Sequence, residues 1–98
     1  MSIPLYVTAV FKVKPEGLAP MLALLEVLSE FTREEAGCLG YGYFQAVDDP
    51  LQFSSFEAWQ SDKHEALHWQ SEHLTQALAQ AAELLQDTPR ISRYRRVC

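Results

Sequence analysis

The stretch FSSFEAWQSDKHEALHWQSEH, residues 53–73, decides how this chain folds. Aromatic side chains recur in its first seven residues, which is typical of a β-strand. Ser61 then offers a hydroxyl that can cap a helix, and Asp62 places a negative charge in the first helical turn. The stretch therefore predicts a strand that ends at Trp59 and passes directly into a helix. A carboxylate, an indole and several imidazoles are concentrated across that junction.

Two elements are predicted at the start of the chain. Residues 4–14 form a strand, because apolar side chains recur there at every second position. Residues 18–36 form a helix, because a stripe of apolar residues recurs at spacings of three and four. Pro20 is compatible only with the first turn of that helix, and Gly37 suits the positive φ that closes a helix. The stripe consists of Leu18, Met21, Leu22, Leu25 and Leu28.

A hairpin connects this helix to the stretch at 53–73. Its strands are expected at residues 38–47 and 51–58, joined by a turn at Asp49-Pro50. On the first strand, alternation sends one set of side chains to one side of the sheet and two glycines to the other. Because glycines weaken a strand, Gly40 and Gly42 indicate the close approach of another group. The side chains predicted to lie on the side opposite to these glycines are Leu39, Tyr41 and Tyr43.

The second helix is predicted to run to about Gln86, and Ser71 marks a point at which it can break. Residues 87–89 stop it, and alternation in residues 90–97 predicts a last strand. The order β-α-β-β-α-β is that of a ferredoxin-like α+β fold, an antiparallel sheet with both helices on one face. We expect residues 1–98 to form one such domain.

The strands carry apolar and aromatic side chains on both faces, although two helices can cover only one face. A second copy of the chain is the simplest cover for the other face, so we expect a homodimer with its sheets packed face to face. A domain of 98 residues also buries a modest fraction of its surface by itself, which favours a partner subunit.

Composition argues against several partners and locations. The net charge of −5 disfavours nucleic acid and anionic membrane as main partners, since both attract positive surfaces. The N-terminus lacks a basic region followed by a cleavable apolar segment, and charges interrupt the longest apolar runs. Cys38 and Cys98 form no disulfide pattern and are expected to be reduced. We therefore expect a cytoplasmic protein.

With this order of elements in place, a set of residues resembles the antibiotic biosynthesis monooxygenase (ABM) domain. The similarity covers nearly the whole chain and is densest between Glu57 and His73. The matching residues are Gly37, Cys38, Leu39, Tyr41, Asp49, Pro50, Phe53, Glu57, Trp59, Ser61, Ala66, Leu67, His68, Ser71 and His73. The resemblance implies a dimeric α+β barrel, in agreement with the two-faced strands.

The resemblance also implies several unlike reactions. Some members of the ABM family oxygenate anthrones or quinols without flavin, haem or metal, and a close branch processes a furanone of the autoinducer-2 pathway. Another branch degrades haem with an Asn, a Trp and an axial His. This chain contains no Asn, and His68 and Leu78 stand where that branch has its Trp and its axial His. Haem is therefore disfavoured.

His68 is the strongest candidate for a catalytic residue. A free imidazole has a pKa of about 6.5, which suits the removal of a proton from a phenol or enol at neutral pH. The resulting anion is electron-rich enough to react with oxygen, so the protein need only bind the substrate, deprotonate it and exclude water. The alternative is that His68 simply packs between helix and sheet.

Four further residues are candidates for substrate binding. Glu57 and Trp59 share a strand face, where they could orient an imidazole and wall an aromatic pocket. The alternative for this pair is a structural hydrogen bond and a core position. Tyr41 and Tyr43 could stack on a planar substrate or bind it by hydrogen bonds, although aromatic residues are also simply good strand formers.

The other histidines give weaker signals. His64, His68 and Glu72 follow one another at four-residue spacing, but two imidazoles without a third firm ligand are weak evidence, so we expect no metal. His73 matches the ABM motif and is retained as a candidate for substrate binding. Because it follows His68 by five residues, it is expected on another side of the helix, where capping or packing is its simplest role.

Together these features predict a cofactor-independent monooxygenase that uses molecular oxygen as co-substrate and acts on a quinol-like or polyketide-like aromatic. Three alternatives stay open. They are an isomerase or degradation enzyme for a small carbonyl compound, a haem-binding protein, and a non-catalytic dimeric binding module whose pocket is filled by side chains. A large, empty apolar cavity that touches His68 would argue against the binding module.

Overall fold

One four-stranded antiparallel sheet organises the protein in a computed structural model that describes residues 3–98. The strands are β1 (Leu5–Lys12), β2 (Cys38–Gln45), β3 (Gln52–Trp59) and β4 (Arg90–Tyr94). The helices are α1 (Leu18–Arg33), α2 (Asp62–Trp69) and α3 (Glu72–Ala81), with a short 3-10 turn at Pro15–Gly17. The sheet order is β2-β3-β1-β4, and every neighbouring pair is antiparallel. The predicted ferredoxin-like α+β fold is therefore confirmed.

The core lies between the helices and one face of the sheet. Leu28 of α1 and Leu74 and Ala77 of α3 pack on residues from the strands, among them Val7 and the fully buried Trp59. A second buried cluster at the other end of this layer consists of Phe11, Val13, Met21, Leu25 and Phe53. The apolar stripe of α1 and the odd-numbered residues of β1 therefore meet as their periodicities predict.

The second helix breaks at Ser71, where the sequence allowed a break, and it ends at Ala81 rather than near Gln86. The Ser71 hydroxyl donates a hydrogen bond of 2.7 Å to the His68 carbonyl and accepts one from the Leu74 backbone N–H at 3.3 Å. One serine thus closes α2 and caps α3. After α3 the chain turns towards β1, where the Gln86 backbone N–H binds the Lys12 carbonyl at 2.9 Å. That pairing replaces the last predicted helical turn.

Strand β2 departs from simple alternation at its start. Its register with β3 shifts between Cys38 and Gly40, so Cys38 packs against the core while Leu39 is 60% exposed. The prediction that Leu39 shares a face with Tyr41 is therefore wrong, because an extra residue in a strand reverses the side-chain order beyond it. Close approach is also absent at Gly40 among the described residues, since a Cβ there would meet open space.

The outer face of the sheet, away from the helices, retains exposed aromatic residues. Phe44, Phe56 and Tyr94 are each more than half exposed, and Phe44 and Phe56 lie edge to face. This face is where the expected homodimer would form, and the dimer stays a prediction. Within residues 3–98, no helix has both the length and the apolar character needed to cross a membrane.

Candidate functional site

A cavity of about 260 Å³ lies between the helices and the inner face of the sheet. Most of its lining is aliphatic and comes from α1, α3 and the strands. Four of the candidate residues also line it, namely Tyr41, Tyr43, Glu57 and His68. Trp69, Leu78 and Thr88, which belong to the lining, are exposed, so the cavity lies close to the protein surface. The inner face of the sheet is therefore the face that forms the pocket.

His68 reaches this cavity from the last turn of α2. Its side chain is 3% exposed, and its ring lies 4.8 Å from the Trp59 ring and 5.3 Å from the Tyr41 ring, measured between centroids. Its Nδ1 lies 2.7 Å from Oε2 of Glu35. A carboxylate can only accept, so Nδ1 carries the proton of this bond. In the neutral imidazole, Nε2 is then the ring nitrogen that keeps a lone pair for a substrate.

Glu35 was not identified from the sequence. It lies in the turn between α1 and β2, among carboxylates that face solvent, and its type and position gave no signal. Its Oε2 lies 2.7 Å from Nδ1 of His68 and also 2.6 Å from Nε2 of His73. Only the path of the chain through this turn shows that the carboxylate points inward between two imidazoles.

His73 is not separated from His68, contrary to its predicted position on another side of the helix. The break at Ser71 starts a new helix, so the five-residue spacing no longer fixes the angle between the two side chains. His73 is half-buried, stacks on Phe31 with ring centroids 5.8 Å apart, and shares the Glu35 carboxylate with His68. It does not line the cavity.

The metal arrangement considered from the sequence is not formed. Nδ1 of His64 lies 2.7 Å from the Ser61 hydroxyl, and the Glu72 carboxylate accepts a hydrogen bond from Gln76. The His64 ring instead packs on Gly37, where φ is +81° and an added Cβ would run into the ring. The ligand atoms of Glu35, His68 and His73, by contrast, all lie within 4.8 Å of one another.

Glu57 is fixed by donors other than an imidazole. One carboxylate oxygen accepts from the Ser55 hydroxyl at 2.6 Å and the other from Trp59 Nε1 at 3.1 Å. Burial raises the pKa of Glu57 above its ordinary value, an effect that these two hydrogen bonds partly offset. The residue that orients His68 is therefore Glu35, whereas Glu57 lines the cavity with a carboxyl group whose pKa is raised.

Tyr41 and Tyr43 form a pair of hydroxyl groups in the lining of the cavity. Their oxygens lie 2.7 Å apart, so one phenol donates to the other. Burial raises the pKa of both phenols, and each therefore stays neutral around neutral pH. The site thus combines one available imidazole nitrogen with neutral hydroxyl donors in an apolar chamber. That combination suits removal of a proton from a weakly acidic organic molecule.

Comparison with known proteins supports the fold. The crystal structure of PA3566 from Pseudomonas aeruginosa superimposes with a TM-score of 0.91 at 30% identity, covering 100% of this chain and 98% of that one. A structure described as an antibiotic biosynthesis monooxygenase gives a TM-score of 0.92 at 29% identity, with 96% and 99% of the two chains covered. An uncharacterized protein from Synechocystis, sll1783, is 26% identical over 92 residues, which is 94% of this chain. The chain spans 63% of the length of that relative.

The family model described as "Antibiotic biosynthesis monooxygenase" matches residues 4–80. The matched part contains β1 to β3, α1, α2 and all of α3 except Ala81, whereas β4 lies beyond it. The match contains the cavity-lining candidates together with Glu35 and His73. This chain belongs to the antibiotic biosynthesis monooxygenase family.

Proposed function

We propose that this protein is a cofactor-independent monooxygenase that binds a small hydroquinone or related phenol in the cavity, with His68 as general base. One observation carries the proposal. An imidazole whose Nδ1 is held by a carboxylate lines an apolar cavity of about 260 Å³. The carboxylate fixes the tautomer with a free Nε2 and stabilises the imidazolium formed when the substrate loses its proton.

The volume of the cavity limits the size of the substrate. An apolar protein cavity of about 150 Å³ accommodates benzene. A cavity of about 260 Å³ is therefore suited to one or two fused aromatic rings, and a three-ring anthrone would require the cavity to widen. Within the quinol-like and polyketide-like substrates expected from the sequence, the small hydroquinones fit best.

The reaction needs no electrons from another source. Deprotonation by His68 leaves an electron-rich anion, which transfers electrons to molecular oxygen as co-substrate. One oxygen atom enters the substrate, and the other leaves as water with two hydrogens that the substrate and the imidazolium supply. The apolar lining keeps bulk water from the anion, and the neutral Tyr41–Tyr43 pair can donate a hydrogen bond to a substrate oxygen.

Oxygen consumption on a panel of substrates tests this function. The panel comprises a one-ring hydroquinone, a naphthohydroquinone and an anthrone, each corrected for uncatalysed oxidation. We expect uptake with the first two and at least about a hundredfold loss in His68→Ala and His68→Gln, the usual scale for a lost general base. His64→Ala is the matched control, because His64 does not line the cavity.

Two outcomes would contradict the proposal. Uptake that is unchanged in both His68 variants, with their folding verified by circular dichroism, would exclude this residue as the base. No uptake with any panel member, combined with turnover of a small carbonyl compound in the absence of oxygen, would favour an isomerase or degradation enzyme. A binding module with a filled pocket is already disfavoured, because the cavity is present and touches His68.

We further propose that the protein acts as a homodimer through the outer face of the sheet. Phe44 and Phe56 are exposed there, and the open space above Gly40 leaves room for a partner's side chains. Sedimentation velocity should give a dimer for the parent protein and a monomer for Phe44→Glu/Phe56→Glu. A parent protein that sediments as a monomer would overturn this part of the proposal.

A further inference from the structure

The Glu35 carboxylate and two imidazoles form a donor cluster that the proposed reaction uses only in part. Oε2 of Glu35 is 2.7 Å from Nδ1 of His68 and 2.6 Å from Nε2 of His73. Both ring nitrogens point at the same carboxylate oxygen, and all three ligand atoms lie within 4.8 Å of one another. General base catalysis by His68 requires one of these hydrogen bonds but gives no reason for the second imidazole.

The cluster has the composition of a metal site. Two imidazoles and one carboxylate form a common protein ligand set for zinc, and the same set suits iron(II) and other divalent transition metals. Bonds of about 2.0–2.2 Å in tetrahedral or octahedral geometry place ligand atoms roughly 3.0–3.5 Å apart. The two short contacts at Glu35 must therefore open by less than about 1 Å. The two ring nitrogens, which lie within 4.8 Å of each other, must approach by up to about 1.8 Å.

The surroundings allow these movements at Glu35 and at His73. Glu35 lies in the turn that follows α1, and its side chain is 15% exposed, so the carboxylate can shift without disturbing the core. The His68 ring is held more firmly, since it packs on Trp59 and Tyr41, so the approach of the two rings must come mainly from His73, which stacks on Phe31 near the surface. The His73 side chain is 24% exposed, so an ion can enter from that side and retain a water ligand.

We propose that Glu35, His68 and His73 bind one divalent transition-metal ion, represented by zinc, and that this ion blocks the function proposed above. The metal takes the lone pair of Nδ1 of His68 and displaces the proton shared with Glu35. A neutral imidazole bound through Nδ1 must carry its one proton on Nε2. Nε2 then has no lone pair with which to accept a proton from a substrate. Metal binding and base catalysis therefore exclude each other.

Metal binding is measured without reference to activity. Cobalt(II) absorption spectra and zinc calorimetry are recorded on the full chain carrying Cys98→Ser, which removes the exposed terminal thiol. We expect one ion per chain, bound at least about a hundredfold more weakly in Glu35→Gln and in His73→Gln, since losing even an outer partner of a metal ligand costs 10- to 100-fold. Glu34→Gln and His64→Ala are the matched controls and should bind as the parent does.

Each result either supports or overturns the metal site. No binding by the parent chain, or binding that Glu35→Gln and His73→Gln leave unchanged, overturns it. Circular dichroism shows whether Glu35→Gln and His73→Gln are folded. If both variants are folded and bind the metal weakly, the loss is due to the missing ligand and the site is supported.

The blocking effect is tested separately and rests on the proposed function. Saturating zinc should abolish oxygen uptake, and a chelator should restore it. Uptake that persists or rises with saturating zinc would overturn the block. Zinc binding by a protein that consumes no oxygen would leave the metal site supported and refute the monooxygenase, so the two failures are distinguishable.

Discussion

Replacing Glu35 by Gln removes a negative charge from the cluster while keeping the shape of the side chain. The Gln carbonyl oxygen can still accept from the imidazoles of His68 and His73, so the orientation of His68 is retained. What is lost is the attraction between the carboxylate and the imidazolium that forms during catalysis. A charged hydrogen bond exceeds a neutral one by about 1–1.5 kcal/mol, which sets the lower bound of the effect.

An upper bound follows from the charge separation. With an N···O distance of 2.7 Å, the centres of the two charges lie roughly 4 Å apart, and at an effective dielectric of about 20 their attraction is about 4 kcal/mol. At about 1.4 kcal/mol for each factor of ten, the two bounds predict that kcat falls between roughly 5-fold and 1000-fold. Glu35 does not line the cavity, so KM should change by less than about twofold.

Steady-state oxygen uptake on the best hydroquinone of the panel measures both constants. Glu34→Gln is the matched control, because it makes the same chemical change one residue away on an exposed side chain. The reasoning is refuted if Glu35→Gln keeps the kcat of the parent while His68→Gln is inactive. It is equally refuted if the variant raises KM and leaves kcat alone, since Glu35 would then act in substrate binding.

Three further predictions concern stability and titration. Gly37→Ala should lower the free energy of unfolding in urea by at least about 2 kcal/mol, because φ is +81° and the new Cβ would meet the His64 ring. Gly40→Ala is the control and should cost no more than about 0.5 kcal/mol, since its Cβ would meet open space. Equal effects of the two substitutions would contradict this. Because burial raises the pKa of Tyr41 and of Tyr43, neither phenol should ionise near pH 10 in the folded protein. The double variant Tyr41→Phe/Tyr43→Phe should therefore develop the same phenolate absorbance near pH 10 as the parent. A smaller absorbance in the variant would show that at least one of the two ionises in the parent. Because burial raises the pKa of Glu57, the folded state binds its proton more tightly than the unfolded state, so this residue's contribution to stability falls as pH rises above 4.5. Glu57→Gln should therefore lose less stability than the parent between pH 4.5 and 7, measured by urea unfolding. Urea midpoints that change equally with pH in both proteins would exclude the effect.

The sequence predicted the elements whose side chains repeat regularly. The odd-numbered residues of β1 and the stripe of α1 face the core as their periods require, and Ser61 caps α2 as its type indicated. The errors occur where one residue interrupts the regular repeat of side-chain directions. The irregularity at Leu39 exposes a side chain that alternation would have placed with Tyr41. The break at Ser71 was anticipated, but its effect of bringing His73 beside His68 was not.

The candidate site was also predicted only in part, because some of its residues lie on regular elements and one lies in a turn. Glu57 and Trp59 lie two residues apart on a regular strand, so their common face could be assigned from spacing alone. Glu35 could not, because a carboxylate in a turn has no period and several others stand beside it in the chain. Its role depends on a contact with α2 that spans 33 positions of sequence, which local patterns do not encode.

The position of Glu35 in the turn between α1 and β2 bears on how this fold diversifies. The strands and helices bury the core without that carboxylate, which is partly exposed and absent from both buried clusters. Evolution can therefore exchange the turn residue while leaving the foldable framework intact, and each exchange changes the electrostatic environment of the imidazole behind it. A library restricted to residues 34–36 would sample new environments for His68, and the variants that fold would be those that supply another acceptor for its buried Nδ1.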